Sequence, residues 1–210
     1  METRQKSQRE RFGPTRRGGP VFRWLGEPLA IDLANTVMVV REGQEVDLLR
    51  TPGDLRRWLA LERERLGGCA FALAHLEEIR ALRDAVRGVL SASAEGAAPP
   101  PEAVERMNAA SAAAPVAPRL LAGSDGELEV DERSVAPDPL ARLLGRLARS
   151  AMVLLTGDER ERLHLCNAPS CGMLFLGSRQ WCCAACGNRA RAARHYRRTR
   201  QRAASRARTV

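Results

Sequence analysis

Aromatic residues make up only 4% of this 210-residue chain. That scarcity argues against a β-sandwich, whose strands draw on aromatic and β-branched side chains, and the abundant Ala and Leu favour helices packed through small and aliphatic groups. No uninterrupted apolar run approaches the ~18–20 residues a membrane helix needs. The basic opening Met1–Arg17 has no apolar signal core, so the expected location is cytoplasmic, with no membrane partner. The three histidines lie far apart in sequence and no Ser/His/Asp or paired-carboxylate arrangement is visible. No enzymatic activity is expected on these grounds.

Acidic residues are missing where basic ones concentrate. Residues 187–210 hold nine arginines and no Asp or Glu, and residues 1–23 hold seven Lys or Arg against two Glu. The middle of the chain is net acidic, so the overall charge of +9 sits at the two ends. A charge run is commonly a solvated tail, but one that starts inside a fixed helix is the footprint of a polyanion-binding surface.

Cysteine is absent from the first 165 residues apart from Cys69, and the other five fall between Cys166 and Cys186. Cys69 reads as a buried or incidental thiol. Five cysteines within so short a span, in a chain expected in a reducing compartment, indicate metal ligation rather than disulfides. Cys166 and Cys171 bracket a Pro-containing turn, and Cys182 and Cys186 are spaced i, i+4. A helix beginning near Trp181 would put both thiolates on the face of its first turn, as one half of a tetrahedral Zn²⁺ site. Cys183 with Cys186 is also a permissible pair; helix geometry favours Cys182. His164 is a weaker substitute ligand, better read as solvent-facing or as a neighbour of the site. Phe175 and Trp181 are expected to cover the cluster.

Cys186-Gly187-Asn188-Arg189, preceded by Trp181-Cys182 and by the stretch from Cys166 to Phe175, closely resembles the CGNR zinc finger that closes a group of bacterial proteins classed as transcription regulators. Leu29-Ala30-Ile31-Asp32-Leu33-Ala34-Asn35-Thr36-Val37 resembles the opening signature of the helical ABATE domain that precedes that finger. The two matches span about Val21 to Arg202. The resemblance implies DNA binding and stress-linked regulation. Family members more often have four residues between the last two cysteines, where Cys182 and Cys186 have three, and this departure keeps Cys183 in contention.

The expected fold is mainly α: a disordered basic arm over 1–20, a helical domain with small β-hairpins over 21–158, a treble-clef-like zinc finger with a basic helix over 159–204, and a tail over 205–210. Val21–Leu25 reads as a short strand. Leu29, Leu33 and Val37 recur at helical spacing, and Asp32 and Asn35 stand out as polar residues on that apolar segment. They are expected to tie down neighbouring backbone, with ligand binding the alternative. Thr51-Pro52-Gly53-Asp54 is a capping-box helix start. The periodicity predicts a long helix over Phe71–Ser91 with Arg80, Arg83, Asp84 and Arg87 on its outer face, a shorter one over Pro101–Ala114 with Val104, Met107 and Asn108 turned inward, a hairpin around Ser124–Glu127, and a helix opened by Asp138-Pro139. In the finger, Met173–Leu176 is expected to pair with Arg179–Trp181.

Beyond Cys186, Arg191, Arg194 or His195, Arg198 and Arg202 follow one helical face, with Arg197 nearer the ligand side. Arg189, Arg191 and Arg194, close to the metal, are the candidates for guanine contacts, and the distal arginines for phosphate. The expected function is a DNA-binding regulator whose helical domain senses an unidentified effector or forms a homodimer. An RNA- or ribosome-associated factor is the alternative.

Overall fold

The computed structural model describes residues 25–39, 44–123 and 126–207, and only the backbone of Glu132 and of 202–207. The expected arm over 1–20, most of the Val21–Leu25 strand and residues 208–210 lie outside these.

The architecture is mainly α. Helix α1 (Leu29–Ala34) is buried along its whole length. It ends earlier than its apolar spacing suggests, because the β-branched Val37 and Val39 belong to strand β1 (Val37–Val39), paired antiparallel with β2 (Glu45–Asp47). Helix α2 (Pro52–Leu61) opens on the expected capping box: Asp54 N–H donates to Thr51 Oγ1 at 3.2 Å and Thr51 N–H donates to Asp54 Oδ2 at 2.9 Å. A short α3 (Arg63–Leu66) follows. The long helix α4 runs over Leu76–Glu95, with a separate 3-10 turn over Ala70–Ala74 in place of its expected first turn. Helix α5 (Pro101–Ala112), strands β3 (Val116–Ala122) and β4 (Leu128–Ser134), and helix α6 (Pro139–Thr156) complete this part. Asp138 caps α6, accepting from the N–H groups of Leu140 and Ala141.

Helices α1, α4, α5 and α6 pack around one core whose members include Ile31, Leu33, Leu55, Trp58, Ile79, Val86, Leu90, Leu147 and Ala151. Burial of these apolar side chains, about 1.5–3 kcal/mol for each Leu, Ile or Val, is what holds short helices that would be marginal alone. Two details differ from expectation. Asn108 faces solvent. The outer face of α4 is also less solvated than its charges suggest. Arg83 is buried, and its guanidinium donates to both Asp47 carboxylate oxygens, at 2.6 and 2.9 Å. Arg87 is half-buried and donates to the main-chain carbonyls of Ala34 and Gly172. Both arginines were predicted to be free surface; instead they clamp the β1–β2 hairpin and the start of the finger onto α4.

After a 3-10 turn over Asp158–Arg162, strand β5 (Leu163–Leu165) pairs antiparallel with β6 (Leu174–Leu176), and helix α7 (Ala184–Ala207) closes the described chain. The expected partner of β6 was Arg179–Trp181. That segment follows Gly177 and carries exposed polar residues, with no apolar alternation to bury, whereas Leu163 and Leu174 both enter the main core. The β5–β6 hairpin therefore packs on α4 and α1, and the finger has no separate foundation.

Candidate metal centre

Strand β5 delivers Cys166, and the loop from Cys166 to Cys171 folds back so that Cys166 N–H donates to the Met173 carbonyl at 2.8 Å. The residues on either side of Cys171 take the left-handed conformation, Ser170 at φ 56° and Gly172 at φ 63°. Gly172 is required there twice over: a side chain is strained at that φ, and a Cβ would lie 2.5 Å from Val39 Cγ2. Cys186 sits in the first turn of α7, and Cys182 lies just before the helix, which starts at Ala184 rather than near Trp181.

The Sγ atoms of Cys166, Cys171, Cys182 and Cys186 all lie within 4.8 Å of one another and all four residues are buried. The Cys171–Cys182, Cys182–Cys186 and Cys171–Cys186 sulfur distances are 3.6, 3.4 and 3.6 Å. A disulfide needs about 2.05 Å; a tetrahedron of thiolates at ~2.3 Å from zinc spaces its corners by about 3.8 Å. The donors therefore fit zinc. Cys183 stands outside the four-sulfur group and is half-buried, as is His164, whose ring packs 5.8 Å from that of Phe175. Cys69 lies in the other part of the chain against the main core. Met173, Phe175 and Trp181 pack around the sulfurs as a second small cluster.

Without a cation the four thiols cannot all ionise. Hydrogen bonds from Cys171 and Cys182 hold Cys166 far below the usual thiol range. Burial pushes the Cys186 thiol up, and Cys182 is pushed up by its hydrogen bonds to the neighbouring sulfurs and by burial. A divalent cation supplies the charge that lets all four act as thiolates. With four thiolates the site would be doubly negative, and two features of this chain answer that charge. Cys182 N–H donates to Cys166 Sγ at 3.4 Å, and Arg189 Nη2 donates to Cys186 Sγ at 3.0 Å.

Arg189 was expected to read guanine, but its guanidinium is turned onto the cluster, with Nε buried. The other arginines point elsewhere. Arg191 donates to Asn188 Oδ1. Arg194 lies 5.7 Å over the Trp181 ring, and it lines a groove of about 550 Å³ with Arg197, Trp181, Gln180, Arg179 and His164. His195, Arg197 and Arg198 are exposed; the Arg202 side chain lies outside the described residues. Gly187 lets the helix meet Trp181 closely, since a Cβ there would lie 3.2 Å from Trp181 Cε3.

Asp32 and Asn35 are both engaged within the protein. Asn35 Nδ2 donates to the Leu174 carbonyl and Leu174 N–H donates to Asn35 Oδ1, both at 2.9 Å, so this side chain pairs with β6 as a strand would. Asp32 accepts from Arg65 Nη2 at 2.6 Å and from Glu27 N–H at 3.4 Å. Sequence reasoning missed Glu27, whose Oε2 accepts from Leu176 N–H at 3.2 Å and which lies 3.6 Å from Arg179. Its only signal was a charged residue two positions before the α1 signature.

Comparison with curated proteins returns no match. The CGNR zinc finger family model matches residues 162–199, so the four-cysteine centre is a zinc finger. A second family model, described as "putative stress-induced transcription regulator", matches residues 27–158, more than half of the chain. The chain thus belongs to the ABATE family and carries a CGNR zinc finger behind its ABATE domain.

Proposed function

We propose that the protein binds duplex DNA through α7 and regulates transcription, with zinc in a purely structural role. The observation that carries this reading is the helix itself: 24 residues, about 36 Å at 1.5 Å per residue, rooted at Cys186 and studded with exposed guanidiniums. Arg191, Arg194, His195 and Arg198 share one face by their spacing, and Arg202 continues it. Each guanidinium can bridge two phosphate oxygens. Arg197 and Arg200 flank that face, and Arg200 lies 5.8 Å over Tyr196. Four thiolates leave the metal no open position for a substrate or water, which supports a binding protein over an enzyme.

The test is duplex binding across a salt series. Five phosphate contacts from Arg191, Arg194, Arg197, Arg198 and Arg200 predict a slope of log affinity on log salt near −4.5, from ~0.9 counterions per phosphate. A slope near zero, or binding unchanged after zinc is chelated and the helix lost, would remove the mechanism. The groove beside Trp181 supports a second reading, RNA binding, because an unpaired base can stack on an aromatic ring flanked by arginine. Competition of duplex DNA against structured RNA at equal salt separates the two.

The helical domain supports homodimer formation. On the β3–β4 hairpin, Leu120 pairs with Val130 and Ala122 with Leu128 on one face, and Leu120, Leu128 and Val130 are 66%, 63% and 67% exposed. The opposite face carries Asp131 and Arg133. An apolar face turned to water on a two-stranded hairpin is marginal alone, and the same hairpin of a second copy would cover it. Sedimentation of Leu120→Glu against wild type tests this. Among the described residues no helix is long and apolar enough to cross a membrane, and we place the protein in the cytoplasm, where reduced thiols hold zinc.

A further inference from the structure

We propose that the cleft between the outer face of α6, the turn at Gly68–Phe71 and the underside of the β3–β4 hairpin binds an organic carboxylate with an apolar body, held by Arg142 and Arg146.

The cleft has a volume of about 1050 Å³, large enough for a metabolite-sized ligand. Arg142, Arg146, Ser150 and Val153 follow one another at i, i+4, i+8 and i+11 on α6, so they form a single wall. Five arginines line the cleft against two carboxylates, Asp131 and Glu159, which gives it a positive field. Arg65 is engaged by Asp32 and Glu62, and Arg133 lies 3.3 Å from Asp131. Arg142 is different. Its Nη1 donates to the main-chain carbonyls of Ala136 and Pro137, at 2.7 and 3.0 Å. These bonds fix the guanidinium without neutralising it. Arg146 has no hydrogen-bond or ion-pair partner among the described residues, and its charge acts on the nearby Cys69 thiol. Ser150 Oγ accepts from Ala30 N–H at 3.1 Å, which leaves the hydroxyl proton for an acceptor in the cleft.

The rest of the lining is apolar. Leu66 lines the cleft half-buried, Phe71 is 38% exposed and Val153 71% exposed. Water-exposed aromatic and aliphatic groups facing a pair of uncompensated guanidiniums suit a ligand that is anionic at one end and apolar at the other. Inorganic phosphate would satisfy the arginines and leave Phe71 and Val153 wet; a neutral lipid chain would do the reverse. The assignment stands on the cleft alone and does not rest on nucleic-acid binding.

The experiment uses the zinc-loaded full chain, without DNA, and octanoate as the probe, with octanol and inorganic phosphate as controls. Two readouts are taken: the melting temperature, and the alkylation rate of Cys69, which lines the cleft, normalised to that of Cys183 by peptide mass mapping. Octanoate is expected to raise the melting temperature and slow Cys69 alkylation several-fold, with octanol and phosphate weaker on both. Arg146→Ala should weaken octanoate binding about tenfold, the usual scale for losing one charge-assisted contact, with the unliganded melting temperature unchanged. Arg142→Ala should weaken it similarly, with Arg146→Ala deciding the case if Arg142→Ala perturbs the fold. The proposal is overturned if octanoate moves neither readout, if octanol or phosphate matches it, or if Arg146→Ala binds octanoate as wild type does. These readouts involve no nucleic acid, so their failure leaves the DNA-binding reading standing, and the converse holds.

Discussion

Asn35→Ala probes how the ABATE domain holds the finger. Both amide groups of Asn35 are spent on Leu174, one donating to its carbonyl and one accepting its N–H at 2.9 Å, and both residues are buried. Truncation leaves a buried main-chain donor and a buried main-chain acceptor without partners. Each orphaned group costs about 1–3 kcal/mol, so the expected loss is about 3–4 kcal/mol. For a chain of this size that is a fall in melting temperature of about 6–16 °C, at about 2–4 °C per kcal/mol. The assay is thermal and urea denaturation of zinc-loaded protein followed by far-UV circular dichroism, with zinc release recorded in the same samples. Because Leu174 is only three residues beyond Cys171, the metal should leave together with the helical signal in wild type and below it in the variant. A loss under about 0.5 kcal/mol, with zinc release unchanged, would refute the claim that Asn35 acts as a strand partner for β6.

Other perturbations test other joints. Arg83→Met strips the buried guanidinium from Asp47, which keeps Arg80 and the Leu49 N–H; a full unpairing of a buried bridge costs about 3–5 kcal/mol, so the stability read from urea unfolding should fall by less than that. Burial alone would raise the Asp47 carboxyl, but the bonds from Arg83, the Leu49 N–H and the charge of Arg80 together outweigh it and hold it below the usual carboxylate range. The stability it lends is present above the unfolded carboxylate pKa and lost as pH falls through the lowered folded value, so the acid-side loss should be smaller in Arg83→Met, where the Leu49 N–H and Arg80 still hold the carboxylate. Asp32 behaves oppositely. Burial and the neighbouring Glu62 push it up to about 7 in spite of Arg65, so its contribution is full below the unfolded value of 3.8 and declines as pH rises towards 7; Asp32→Asn should flatten that part of a stability–pH curve. Gly172→Ala forces a Cβ against Val39 at a left-handed φ and should lower zinc affinity, measured by chelator competition.

The parts of the fold that were legible in the sequence are those fixed by neighbours along the chain. The Thr51–Asp54 capping box, the Asp138-Pro139 start and the gathering of Cys166, Cys171, Cys182 and Cys186 all follow from local spacing. The misplaced parts depend on partners far away. Arg83 and Arg87 look like solvated charges on a helix because Asp47, Ala34 and Gly172 are 36 to 85 residues distant. The pairing of β6 with β5 was hidden for the same reason, since it is decided by Leu163 and Leu174 entering a core contributed by α1 and α4. Arg189 was offered as a base reader for its closeness to the metal, and that same closeness turns its guanidinium back three residues onto Cys186.

The same contacts argue that zinc and the helical core are one cooperative unit. A module as small as this finger ordinarily lacks the apolar area to fold alone, and here Leu163 and Leu174 place its hairpin inside the larger core. Val39 N–H donates to the Cys171 carbonyl at 3.1 Å, Arg87 to the Gly172 carbonyl at 3.2 Å, Asn35 to Leu174, and Leu176 to Glu27. Every residue from Cys171 to Leu176 thus lies within two positions of a main-chain bond to the ABATE domain. A metal that organises Cys166 and Cys171 therefore fixes the acceptors that Val39 and Arg87 require. Chelation should accordingly lower the stability of the α1–α4 packing as well as the helicity of α7, and hydrogen exchange at Ile31, Leu33, Val86 and Leu90 reads this directly. Unchanged protection there, with α7 melted, would show that the finger is only tethered to the core.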